Sequence, residues 1–178
     1  MMEKDLYSPI HNRSQNAWLE QLALDEVNME ETGIINFHKI NPEKMLEEAS
    51  ISIMEDIKDI FENYCAKFNE FRANYGSEQN IRLFKISDTV NDFMLFRNSL
   101  KLIVARKSAD IISIGFLSNS GGLRAAKLGN ELNDHKVHDI RGHLGPFGHI
   151  SWKFQGEDIH FPSLAKHYMT EFVQLSAK

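Results

Sequence analysis

Histidines are concentrated towards the end of the chain, and few other side chains here have as wide a chemical repertoire. Six of the eight histidines follow residue 134. Imidazole nitrogens bind zinc or iron, and histidine gains or loses a proton near neutral pH. A metal site needs about three converging ligands, usually from a short motif plus one distant residue. The sequence contains no HExxH, HxH or cysteine-containing metal motif, so we predict no metal ligands and no cofactor.

Histidines lie within and on both sides of the turn-rich segment 142–148. Binding residues are often found on turns and loops that a rigid scaffold positions. We therefore predict a small-ligand site around this segment, formed by His138, Arg141, His143 and His149. His138 and Asp139 do not make a catalytic dyad in this prediction, because neighbouring residues on a strand point to opposite faces.

Motifs for covalent or phosphate chemistry are missing. The glycine-rich loop 118–122 fits neither the Walker pattern nor G-x-G-x-x-G, and no serine lies in G-x-S-x-G. Aspartates near predicted strand ends are typical of turns. The sequence therefore assigns no catalytic residue and leaves open whether the protein is an enzyme.

Charge is distributed unevenly along the chain. Residues 1–80 contain 7 Lys and Arg and 16 Asp and Glu, whereas residues 81–153 contain 11 and 6. A basic sheet with a solvated face can bind an anionic protein segment or a single-stranded nucleic acid. Solvated strand faces, or pairing with the acidic helices of the same chain, would explain the pattern equally well. The candidate anion-binding residues are Arg97, Lys101, Arg106 and Lys107.

The two helices predicted to cover the sheet are indicated by apolar residues spaced three and four apart, and a further helix is predicted from residue 14 to about 29. The longer one spans residues 42–74, with Asn41 as its cap and Pro42 at its first position. The second spans residues 162–176 near the C-terminus.

Strands are indicated by apolar and polar residues that alternate. They fall near 81–86 and 149–155 and in an antiparallel meander over 92–117. In 149–155, the alternation predicts that Ile150, Trp152 and Phe154 face the core. We predict an α+β fold in which the helices 42–74 and 162–176 pack on this antiparallel sheet.

Composition indicates a globular domain. A chain of 178 residues is long enough for one core, so we predict a single domain over 1–178 with an irregular segment at 1–12. No apolar run reaches transmembrane length, the start carries no secretory signal, and there is one cysteine. We expect a cytoplasmic protein with no membrane partner.

The length of helix 42–74 predicts self-association. A straight helix of this size spans about 50 Å, whereas a compact chain of this length is roughly 40 Å across. Either the helix breaks near residues 50–53, or a second copy covers its end. We favour a homodimer, because no glycine or proline interrupts the segment.

Together these features favour a cytoplasmic, non-enzymatic binding or interaction protein. In this prediction, the mildly basic sheet region engages an anionic protein or nucleic acid. The alternative is a small enzyme, or a ligand- or metal-binding domain, that uses the histidine-rich C-terminal loops.

Overall fold

The computed structural model describes residues 17–33, 41–76, 79–119, 121–129 and 136–177. By their contacts, the residues fall into two units, Met1–Ile40 and Asn41–Lys178. The single domain over 1–178 stays a prediction, and the irregular segment 1–12 lies outside the described residues.

The first unit contains one described helix, α1 (Ala17–Thr32). It ends at Gly33, whose φ of +65° suits glycine and whose amide donates to the Met29 carbonyl. None of its residues is buried, and several large apolar side chains are exposed.

The second unit is an antiparallel sheet with two long helices, α2 (Pro42–Ala73) and α3 (Phe161–Ser176). The strand order is β1-β2-β3-β4-β6-β7-β8, and β5 pairs with β4. The predicted α+β fold and its meander are therefore confirmed. Strand bounds are β1 Arg82–Lys85, β2 Phe93–Arg97, β3 Leu100–Ser108, β4 Ile111–Ser118, β5 Leu123–Arg124, β6 His138–Leu144, β7 Ile150–Phe154 and β8 Glu157–Asp158.

Helix α2 starts and ends as its sequence indicates. The Asn41 side chain accepts hydrogen bonds from the amides of Glu43 and Lys44 at 3.1 and 3.3 Å, and Pro42 follows the cap. The helix does not break near Ser50, whose hydroxyl donates to the Glu47 carbonyl within the helix. Among the described residues, no helix has both the length and the apolar character needed to cross a membrane.

The core lies between one face of the sheet and the helices α2 and α3. Trp152 is buried there as predicted, opposite Gly142 on β6. A Cβ at Gly142 would lie 3.1 Å from the Trp152 ring and 3.2 Å from Leu46, so glycine makes room for the indole. Ile150 and Phe154 are half-buried, and so are Ser151 and Lys153, which makes the contrast along β7 smaller than the alternation predicts.

Candidate functional site

The hydroxyl of Tyr168 joins three separate segments of the second unit. It lies 2.7 Å from His138 Nδ1 on β6, donates to the Ile114 carbonyl at 3.2 Å, and accepts from the Ala126 amide at 3.3 Å. A hydroxyl has one proton and two lone pairs. The proton of the hydroxyl goes to the Ile114 carbonyl. Its two lone pairs accept from the Ala126 amide and from His138 when Nδ1 carries a proton, so all three bonds form together.

This pair borders a cleft of about 270 Å³ between α3, β6 and β7, named here the His138–Tyr168 cleft. The His138 ring packs against Phe154, with 4.7 Å between ring centres. The apolar lining residues are Leu128, Ile140, Phe154, Ile159 and Leu164. The polar ones are Asp158, His160, Ser163 and His167, together with His138 and Tyr168.

Helix α3 places three polar side chains at the cleft. His160 is the residue just before the helix, at its N-cap position. Ser163 and His167 lie on the same side because they are three and seven residues further along. His160 Nδ1 lies 2.8 Å from the Ser163 hydroxyl. His167 Nε2 lies 2.8 Å from the Lys127 carbonyl, which accepts hydrogen bonds only, so this nitrogen carries the proton.

Burial controls the chemistry of Tyr168. It raises the pKa of the phenol above its ordinary value; the Ala126 hydrogen bond opposes this rise and the Glu171 charge adds to it. The hydroxyl therefore stays protonated near neutral pH and offers hydrogen bonds rather than a base.

The predicted ligand-binding residues lie on different faces of the sheet. His138 is buried on the helix-covered face, whereas Arg141 and His143 are exposed on the other face of β6. His149 is exposed after the 3-10 turn Pro146–Gly148. Only His138 borders the cleft. Binding by all four residues stays a prediction.

The predicted anion-binding residues do not form one patch. Arg97 is buried under the helices, and Lys101 lies on the opposite face of the sheet. Arg106 Nη1 is 3.6 Å from the Glu47 carboxylate on α2, and Lys107 Nζ is 3.3 Å from Asp139. Two of the four are therefore paired with acidic groups of the same unit, and anion binding by the set stays a prediction.

Several cleft residues were missed by sequence reasoning. His160 and His167 are seven residues apart at the start of α3, and this spacing could have placed them on one side. Tyr168 lies among the regularly spaced apolar residues of the predicted helix 162–176, a pattern that predicts burial only. Its bond to His138 joins residues 30 positions apart, for which the sequence gives no local signal.

Two further kinds of evidence, a cluster of metal ligands and a similar known protein, could have identified this site. Within the described ranges, no three His, Cys, Asp or Glu side chains come close enough to hold a metal ion. Comparison of the chain with protein-family models, with curated proteins and with solved structures found no match in any of the three.

Proposed function

We propose that the chain is a binding protein that holds one small carboxylic acid with an apolar body in the His138–Tyr168 cleft. The observation that carries the proposal is the cleft itself, in which apolar walls meet a cluster of hydrogen-bonding side chains. Ligand sites are typically concave and mostly apolar, with a few polar groups that orient the ligand.

The size of the cleft limits the ligand. Its volume of about 270 Å³ lies just below the usual range of ligand pockets, which is roughly 300 to 1,000 Å³. A single ring or a short branched chain fits this space. The apolar body of the ligand would contact Ile140, Phe154 and Leu164.

The polar side of the cleft favours a ligand that accepts hydrogen bonds. His160 and Ser163 lie at the start of α3, where the helix carries partial positive charge, and His167 lies in the second turn. The His160 side chain makes no capping bond to the helix. Asp158 is the one carboxylate among the lining residues described. At this end of the ligand, a carboxylate would accept from the His160–Ser163 pair, because His167 Nε2 already donates to the Lys127 carbonyl.

Binding is favoured over catalysis by the state of Tyr168. Its hydroxyl is buried, protonated and already joined to three partners. A general base must accept a proton from the substrate and a nucleophile must give up its own, so either role needs a hydroxyl that can be deprotonated. Tyr168 and His138 therefore act as a fixed wall of the site.

Methyl NMR with small probes tests the proposal. We expect benzoate and hexanoate, at millimolar concentration, to shift the methyl signals of Ile140 and Ile159 saturably, and benzylamine to bind more weakly. Ser163→Trp should block the cleft, whereas Lys166→Trp, one turn away and outside it, should bind as the parent does. The methyl of Ile103, outside the lining residues, is the internal control. No saturable shift with any probe, or equal shifts in Ser163→Trp, would refute the proposal.

A second proposal is a homodimer through the end of α2. The helix continues unbroken to Ala73, and near its end Phe71 is 65% exposed and Tyr75 is 84% exposed. Exposed aromatic patches mark interaction surfaces. Light scattering should give a dimer for the parent protein and a monomer for Phe71→Glu. A parent protein that is monomeric at micromolar concentration would contradict this proposal.

A further inference from the structure

An open apolar groove runs between α2 and α3, separate from the His138–Tyr168 cleft. It has a volume of about 520 Å³ and is named here the α2–α3 groove. Half-buried Tyr64, Phe68 and Val173, with buried Met169, form its apolar lining. The other lining residues are polar and exposed: Lys67, Lys166, Thr170 and Gln174.

A buried positive charge lies directly behind this lining. The guanidinium carbon of Arg97 is 5.1 Å from the centre of the Phe68 ring, and Nη1 donates to the Ser176 hydroxyl at 3.3 Å. Arg97 is 4% exposed, and its Nε has no hydrogen-bond partner. Among the described residues, no carboxylate lies within ion-pair distance of it. Buried charges are normally paired, because losing hydration is costly.

Within the part of the chain that the structure describes, the surroundings of Arg97 leave most of its charge uncompensated. The C-terminal end of α3 contributes partial negative charge of roughly half an elementary unit, which does not cancel a full cation. Arg72 adds a second positive charge nearby. Burial, and then Arg72, accordingly lower the pKa of Arg97. A positive field therefore reaches the groove from behind Phe68.

The rims of the groove are also positively charged. Lys67 lies on the α2 side and Lys166 on the α3 side. Lys67 is 3.4 Å from Glu70, but both side chains are about two-thirds exposed, and such pairs add little. An apolar groove between two helices suits an amphipathic helix that lays its apolar stripe into it.

We propose that the α2–α3 groove binds an acidic amphipathic helix of a partner protein. The apolar stripe of the partner covers Tyr64, Phe68 and Val173, and acidic residues beside the stripe meet Lys67 and Lys166. Arg97 contributes through its field rather than by contact, because the Phe68 ring separates it from the groove. A second copy of this chain fits less well, since a two-fold contact here would bring the same cations together.

Fluorescence anisotropy with a designed peptide tests this assignment. The probe is a labelled amphipathic helix of roughly 15 residues, with a leucine stripe flanked by glutamates; its counterpart carries lysines instead. We expect saturable binding of the acidic peptide that weakens as salt rises, and no binding of the basic one. Thr170→Trp, an exposed change that fills the groove, should abolish binding. The double variant Lys67→Glu/Lys166→Glu should weaken it on the order of tenfold, whereas Lys85→Glu, exposed on β1, should not.

Arg97→Met separates a binding role from a purely structural one. If the Arg97 field assists binding, the variant binds the acidic peptide several-fold more weakly and is at least as stable as the parent, since an unpaired buried charge is removed. A destabilised variant with unchanged affinity would restrict Arg97 to a structural role and overturn its part in the proposal. Equal binding of both peptides, or of neither, would overturn the proposal as a whole. So would self-association that Thr170→Trp abolishes, because a second copy would then occupy the groove.

Discussion

Tyr168→Phe is the sharpest test of how the cleft is held together. The substitution removes one oxygen atom from a fully buried ring and leaves the ring packing in place. His138 Nδ1 and the Ala126 amide then lose their contact with the hydroxyl, and the Ile114 carbonyl loses a donor. The change in stability therefore reports the loss of the hydrogen bonds, because the hydrophobic packing of the ring is kept.

The expected cost follows from the burial of these groups. Removing a partner of a buried polar group costs about 1–3 kcal/mol, and the Ala126 amide, the Ile114 carbonyl and His138 Nδ1 each lose the Tyr168 hydroxyl. The more apolar phenylalanine recovers part of this loss. We expect Tyr168→Phe to lower the free energy of unfolding by about 2–4 kcal/mol, a large fraction of the total of roughly 5–15 kcal/mol for a domain.

Urea denaturation followed by circular dichroism measures this difference, with Tyr75→Phe, an exposed tyrosine, as the matched control. The pH dependence gives a second reading. The pKa of Tyr168 is raised in the folded state, so its stabilising contribution is complete below the unfolded value near 10 and is lost as pH rises beyond that. Tyr168→Phe should lack this loss. A variant within about 0.5 kcal/mol of the parent would refute the reasoning about the three bonds.

Three other predictions concern the core and the sheet. Trp152→Ala should cost about 3–5 kcal/mol in a thermal melt, and exposed Trp18→Ala under about 0.5 kcal/mol; similar values would contradict the packing of Trp152 on Gly142. Burial, then the charge of Glu62, raises the pKa of Cys65 to about 12, so iodoacetamide at pH 8 should label only unfolded protein, and labelling of folded protein would be inconsistent with a buried thiol. Burial alone would raise the pKa of Asp139, but hydrogen bonds from Ser113 and Lys107 and nearby positive charges outweigh it and lower the pKa. Asp139→Asn should therefore lower the free energy of unfolding by under about 1 kcal/mol near neutral pH. Below the folded pKa of Asp139, where acid protonates the parent carboxylate, the variant and the parent should be equally stable. Urea denaturation at several pH values would check both expectations.

The helices and the meander were predictable because their signal is local. Burial imposes a period of 3.6 on α2 and α3 and a period of two on β2, β3 and β4, and each period is visible in a short window. Strand β6 was harder to predict. It runs through Gly142 to Leu144, where glycine suggests a turn, but this glycine lies within the strand to make room for Trp152.

The cleft could not be predicted in the same way. The Tyr168–His138 bond and the approach of Ala126 depend on where α3 lies over the sheet. The same limit applies to the basic residues. Sequence grouped Arg97 with Arg106, but among the described residues no carboxylate lies within ion-pair distance of Arg97, whereas Arg106 pairs with Glu47 on α2.

The three bonds of Tyr168 also constrain how the protein matures. The hydroxyl belongs to α3, which is synthesised after every strand that it covers. Until α3 packs on the sheet, His138 and the Ala126 amide lack the Tyr168 hydroxyl. The wall of the cleft is completed in one step when α3 docks, because a single oxygen joins all three segments. The three segments therefore meet only in the fully packed unit, and loosening α3 from the sheet would break all three bonds at once.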